Sequence, residues 1–248
     1  MTTIAVLADP PRPGEVLPRL SGGPLDPGEA VDLSVALLRD ACLAVERGGG
    51  DLLVNYRAPD DEDAARGAVA DVLAPAVDSP GDVRYEVQVG SSRSARVGNT
   101  VTHLLEREGV RSAAVLHPAA ALVERRYVDA AAMKLRGSDV VLGPAHGGRV
   151  WYAGFAEPVD FTDAFDPPAL GTLTERARSG GASVDFLETR PVVATPAALA
   201  SVVVEVRARE RAGEPVPAYT SAVLADLDVG VVADEAGLSI AREGTDRS

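Results

Sequence analysis

Short apolar runs alternate with longer helix-patterned segments over the first 143 residues, and this alternation restricts the chain to few architectures. The runs Thr3–Ala8, Leu52–Tyr56, Val83–Val87, Ala113–Leu116 and Val140–Leu142 are brief and rich in apolar or β-branched residues, which predicts strands. Between them, 28–47, 61–77, 95–108 and 121–136 carry helical spacing, with Leu33, Leu37, Leu38, Cys42 and Val45 on one side of the first. Strand and helix in turn make βαβ units, so the expected core is a mostly parallel sheet with helices on both faces, a three-layer α/β/α sandwich. The alternation resumes later as helix 169–179, strand 183–187 and helix 196–212, the last opened by Thr195 as N-cap and Pro196 at the first helical position. A short helix near 217–227 and a strand over 229–232 close the reading. No repeat or linker interrupts the composition, so residues 1–235 are expected to form a single domain and 236–248 a frayed tail.

One stretch breaks the βα rhythm. Residues 138–155 hold a β-branched run, the loop Gly143-Pro144-Ala145-His146-Gly147-Gly148, and a second run with the chain's only Trp. Strand, glycine-rich turn and strand is the reading, with the second strand reversed near 149–154. Such a turn is expected to lie open to a ligand: Gly147 and Gly148 let backbone N–H groups come close to a phosphate or sugar, Arg149 adds charge, and Trp151 and Tyr152 offer a stacking face.

Charge narrows the partners. There are 37 acidic residues against 24 basic ones, a net charge of −13, and Lys134 is the only lysine. This balance argues against nucleic acid as a partner, which rewards clustered basic surface. It has the look of a halophile's surface, with GC-rich codon bias as the alternative source of the Arg-for-Lys pattern. On the halophile reading, screening of self-repulsion should raise the melting temperature between roughly 0.1 and 2 M KCl. A flat or falling melting temperature across that range would remove the reading. No apolar run approaches the ~18 residues needed to span a bilayer, and the chain runs directly into a strand, so a soluble, cytoplasmic protein is expected. The lone Cys42, among apolar helix positions, is expected to be a small buried residue and excludes an intramolecular disulfide framework.

Ligands of open α/β sheets sit beyond the carboxyl ends of the strands. That rule selects the loops 9–20, 89–96, 116–121 and 143–149. Arg12 and Arg19, with Gly14, occupy the first. The second combines Gly90, three serines, Arg93 and Arg96 at a helix start, where an anion would be favoured; capping by Ser91, Ser92 or Ser94 is the other reading. His117 and His146 stand at two loop tips, either as base, anion donor or ligand for a softer metal, or as space-filling loop residues. His103, within a helical stretch, is assigned to packing or surface.

The segment Thr3–Ala8 followed by Pro13-Gly14, Arg19 and Leu20, together with Gly143-Pro144-Ala145, the Gly147-Gly148 turn and Gly154-Phe155, resembles the uncharacterised GT-A-type transferases, which are nucleotide-diphospho-sugar-transferase-like proteins related to phospholactate guanylyltransferases. The likeness runs through about residues 1–210 and, with the charge, suggests a haloarchaeal member. It implies a GT-A-like fold and a nucleotide- or nucleotide-sugar-dependent transferase of glycosyl or nucleotidyl type. It implies that Arg12, Gly14 and Arg19 hold phosphates, with Arg96 near them, and that Gly147, Gly148 and Arg149 shape the sugar or acceptor pocket. The family's carboxylates are missing at three motif positions: Leu116-His117-Pro118 has no Asp, His146 replaces the turn Asp, and 191–195 is carboxylate-free. A divalent metal is therefore doubtful, with Asp160, Asp163 and Asp166 as the alternative source of carboxylates, and the candidate catalytic residues are His117, His146 and Asp160. The alternative function is a non-catalytic GT-A-like module that binds a nucleotide or a protein.

Overall fold

A computed structural model describes residues 1–235 and 237–242. Strands β1 (Thr2–Ala8), β2 (Gly50–Tyr56), β3 (Arg84–Val87), β4 (Ser112–Leu116), β5 (Val140–Ala145), β6 (Arg149–Phe155) and β7 (Val184–Phe186) form one sheet in the order β3-β2-β1-β4-β6-β5-β7. All pairings are parallel except those of β6, which runs antiparallel to both β4 and β5. The expected mostly parallel sheet with one reversed strand is what forms.

Alternate residues of the strands feed two cores. Ile4, Val6 and Ala8 of β1 face a layer built on helices α1 (Pro27–Glu46), α4 (Arg125–Lys134) and α6 (Pro196–Ala212). Ala5 and Leu7 face Val97 and Val101 of α3 (Arg93–Thr102) and Leu173 and Ala177 of α5 (Ala169–Ser179). With both faces covered, every residue of β1 is buried, which is why Ile4–Ala8 read as an unbroken apolar run. Cys42 lies in the first core and is fully buried. Helix α2 (Glu62–Leu73) packs on the β2 side, and α7 (Ala218–Asp226) lies against α1.

Local signals start the helices where the sequence places them. Asp26 accepts from Glu29 N–H at 2.8 Å while the Glu29 carboxylate accepts from Asp26 N–H at 2.7 Å, a reciprocal cap for α1. Thr195 accepts from Ala198 N–H at the start of α6. Helix α4 is the exception: helical spacing extends over 121–136, yet α4 begins at Arg125. Ala121 N–H donates to Pro191 C=O and Val193 N–H to Ala119 C=O, so the segment 119–121 is spent on pairing with 191–193 and is unavailable to the helix.

The expected tail also differs in part. Gly237–Arg242 form β9, paired antiparallel with β8 (Val229–Asp234), and its Ile240 packs against the first core. Ile240 pairs with Val231 of β8, and both pack on that core, which holds this stretch in register. Ala236 and residues 243–248 lie outside the described residues.

Candidate functional site

The reversal of β6 brings three loops to one end of the sheet. Leu116 pairs with Tyr152, and His117 N–H continues the ladder by donating to Trp151 C=O at 2.9 Å. Arg149, two residues before Trp151, therefore stands beside the loop after β4. The loop after β1 meets them there, at the carboxyl ends of the parallel strands, where the switch in strand order leaves a crevice.

Two adjoining cavities occupy that crevice. The outer one, about 310 Å³, is bounded by Asp9, the segment Glu15–Arg19, Ser34 and Leu38 of α1, His117 and Arg149. The inner one, about 220 Å³, is bounded by Arg93, Val150, Phe165, Pro167 and Ala169. His117, Arg149 and Ala194 line both. Val16 and Leu20 are buried and pin the β1 loop, which leaves Glu15, Pro18 and Arg19 exposed along the rim.

Positive charge is poorly compensated here. Among the described residues Arg19, Arg93, Arg96 and Arg149 make no ion pair, and the Nε atoms of Arg93 and Arg96 are buried with no hydrogen-bond partner. Burial is the first cause holding the Arg93 guanidinium below its ordinary value; Asp9 opposes this, and Arg96 and Arg149 add to it. Asp9 is itself within 3.2 Å of Arg57. Burial, then Arg93, then Arg149 push the His117 imidazole well below its usual value, so the ring is neutral at physiological pH.

The hydrogen bonds of His117 conflict. Its Nδ1 lies 3.1 Å from Ala119 N and its Nε2 lies 3.0 Å from Arg93 Nη1. Both neighbours are donors only, whereas a neutral imidazole accepts at one nitrogen alone.

The structure separates the sequence candidates. Arg19, His117 and Arg149 converge on the crevice. Gly14 lies in the exposed part of the same loop, and Arg12 is turned to Asp60 at 3.2 Å and Glu15 at 3.8 Å. Arg96 stands next to the crevice, under the influence of Arg57 and Asp9. His146 is exposed at the tip of the β5–β6 turn, and Asp160 is exposed on another loop, 2.7 Å from Arg176. Asp163 and Asp166 are exposed as well.

The glycine turn is not the open cradle its sequence suggests. Both Gly147 and Gly148 have positive φ, and a Cβ at Gly148 would come within 2.9 Å of Pro168, while Gly148 C=O accepts from Leu170 N–H. The approach to α5 thus covers the Gly148 side of the turn, while His146 and Gly147 stay exposed. Trp151 and Tyr152 are fully buried and offer no stacking face. Ser92 caps α3 by accepting from Ala95 N–H, and buried Ser94 accepts from Phe165 N–H, so both hydroxyls have structural work.

Two residues of the crevice carried too weak a signal to be singled out from sequence. Asp9 is a lone carboxylate in a chain with 37 acidic residues; only its place directly after β1 could have marked it. Arg93 competed with Arg96 three positions on.

The architecture matches solved structures from end to end. A protein from Desulfovibrio desulfuricans, described as a "putative nucleotide-diphospho-sugar transferase", superposes with a TM-score of 0.72 at 18% identity, covering 91% of this chain and 97% of that one. The chain has the nucleotide-diphospho-sugar transferase-like fold. A nucleotidyl transferase from Methanothermobacter thermautotrophicus shares this fold at a TM-score of 0.54 and 17% identity, over 86% and 99% of the two chains. A cytidylyltransferase from Leptospira borgpetersenii does so at 0.51 and 10%, over 91% and 92%. No protein-family model and no curated protein matches the chain.

A divalent ion held by protein side chains alone does not fit the residues present. Among the described residues no three of His, Cys, Asp and Glu group as such a site would require, and the crevice carboxylates Asp9 and Glu15 each face an arginine, Arg57 and Arg12, so an ion here would need the donor's own phosphates as ligands. Also among the described residues, no helix is long and apolar enough to cross a membrane.

Proposed function

We propose that this protein is a nucleotide- or nucleotide-sugar-dependent transferase, of nucleotidyl or glycosyl type, whose donor diphosphate enters the crevice between the loops after β1 and β4. The observation that carries the reading is the set of guanidiniums without ion-pair partners around that crevice, in a chain of net charge −13. Desolvated cations are retained in an acidic chain where an anion completes them. The fold supports it, since the solved structures that share it are described as nucleotide-diphospho-sugar and nucleotidyl transferases.

In either transfer an acceptor oxygen attacks, at the α-phosphorus or at the sugar's anomeric carbon, and a diphosphate leaves with growing negative charge. Arg19 at the rim and Arg149 where the two cavities meet are placed to stabilise that charge. Neutral His117 contributes as a hydrogen-bonding group beside them. No step is assigned to His146, Asp160 or Arg12.

A thermal-shift and calorimetric screen of nucleotides and nucleotide-sugars in molar salt, with and without Mg²⁺ or Mn²⁺, tests the reading. Binding of one donor class, followed by release of pyrophosphate or nucleoside diphosphate when an acceptor is added, is the expected result. The want of a three-residue metal-binding group keeps a second reading in play, a non-catalytic nucleotide-binding module. Binding without turnover across acceptors and metals would favour that module. No binding of any nucleotide would overturn both.

A further inference from the structure

From the crossed hydrogen bonds of His117 we infer that Arg93, His117 and Arg149 form a phosphate cradle that works without a metal ion. This deepens the transferase reading, from which it takes the expectation of a diphosphate in the crevice; the residues it assigns are fixed by geometry.

Neutral His117 lies between two groups that can only donate, Ala119 N–H and the Arg93 guanidinium. With Nδ1 accepting from Ala119, the ring proton sits on Nε2 and points at Arg93. With Nε2 accepting from Arg93, the proton sits on Nδ1 and points at Ala119 N–H. Either way one donor lacks a protein acceptor, at a part-buried position on the crevice wall.

Arg93 adds a second unmet donor, its buried Nε, and makes no ion pair among the described residues. The inner cavity opens beside these groups, and Arg149 lines the same wall. One oxyanion placed there would resolve both defects. It would accept from Nε2–H of His117 while Nδ1 keeps its bond to Ala119, and it would accept from both guanidiniums. A phosphate has the several oxygens this requires. The remainder of the inner wall includes the apolar Val150, Phe165 and Ala169, which lower the local polarity and strengthen each contact.

The test is calorimetric titration of the full chain with pyrophosphate in EDTA, for wild type and Arg93→Met, with melting temperatures of both free proteins. Wild type should bind, and Arg93→Met should weaken binding about 10- to 100-fold. The free variant should melt at the same temperature or higher, because a buried charge without a partner is removed. A purely structural arginine predicts the opposite, a lower melting temperature with pyrophosphate affinity unchanged, and that outcome would overturn the inference. So would wild-type binding that appears only with Mg²⁺. Should Arg93→Met fail to fold, Arg149→Met, at a half-buried strand end, carries the same affinity test.

The two readings fail separately. Pyrophosphate binding without any nucleotide binding supports the cradle and sinks the donor assignment. Nucleotide binding that Arg93→Met and Arg149→Met leave unchanged sinks the cradle alone.

Discussion

Replacing Trp151 by Ala should lower the unfolding free energy by about 3–5 kcal/mol, and with it the melting temperature by roughly 6–20 °C. The side chain has no exposed surface, and its Nε1–H donates to Glu188 C=O at 3.0 Å. Tyr127 meets it edge-on with ring centres 6.3 Å apart, and Tyr152 lies at 5.6 Å. Gly143 is the floor beneath it: a Cβ there would come within 2.5 Å of the indole. Truncation removes the largest buried side chain in the sheet, opens a cavity between β5, β6 and α4, and leaves the Glu188 carbonyl without its donor. Equilibrium urea unfolding followed by far-ultraviolet circular dichroism measures the change. A loss under about 1 kcal/mol would show that the tryptophan is not core, and would restore the sequence-based reading of an accessible stacking face.

Arg19→Ala should weaken nucleotide binding by about 1.5–3 kcal/mol, the range for a hydrogen bond to a charged group. EDTA should leave the wild-type affinity unchanged. Arg19 is exposed on the rim of the outer cavity and makes no ion pair among the described residues, so its guanidinium is free to follow an incoming phosphate. Arg12 is the internal comparison. Its guanidinium already faces Asp60 and Glu15, and Arg12→Ala should change affinity much less. Titration of the two variants side by side decides the matter. A larger loss for Arg12 would reverse the assignment, and strong Mg²⁺ dependence would transfer the charge-neutralising role to an ion held by Asp9 and Glu15, the carboxylates that line this cavity.

Much of this protein is written locally in its sequence. Helices α5 and α6 occupy the spans that periodicity and the Thr195-Pro196 start signal predict, and β1 reads as a doubly covered strand because all seven of its residues are small or apolar enough to be buried. The reversed strand follows from the glycine turn that precedes it. These are properties of neighbouring residues, and neighbouring residues suffice to specify them. What lies between distant segments is another matter. The loss of the first turn of α4 to pairing with 191–193, and the burial of Trp151 under Tyr127, depend on partners that no local pattern names.

The candidate site shows the same division. Sequence placed Arg19, His117 and Arg149 in post-strand loops, because the rule about strand ends needs only the order of elements. It did not separate Arg93 from Arg96, since which of two arginines on one helix enters a crevice depends on how that helix is rolled against the sheet. It took the whole glycine turn for open because nothing local announces that Pro168 will cover Gly148. The sequence by itself determined the alternation, the layers and the end of the sheet where chemistry belongs. Only the tertiary structure decided which guanidiniums are left without partners there, because an unmet charge is defined by what packs around it, and that is set by residues far away along the chain.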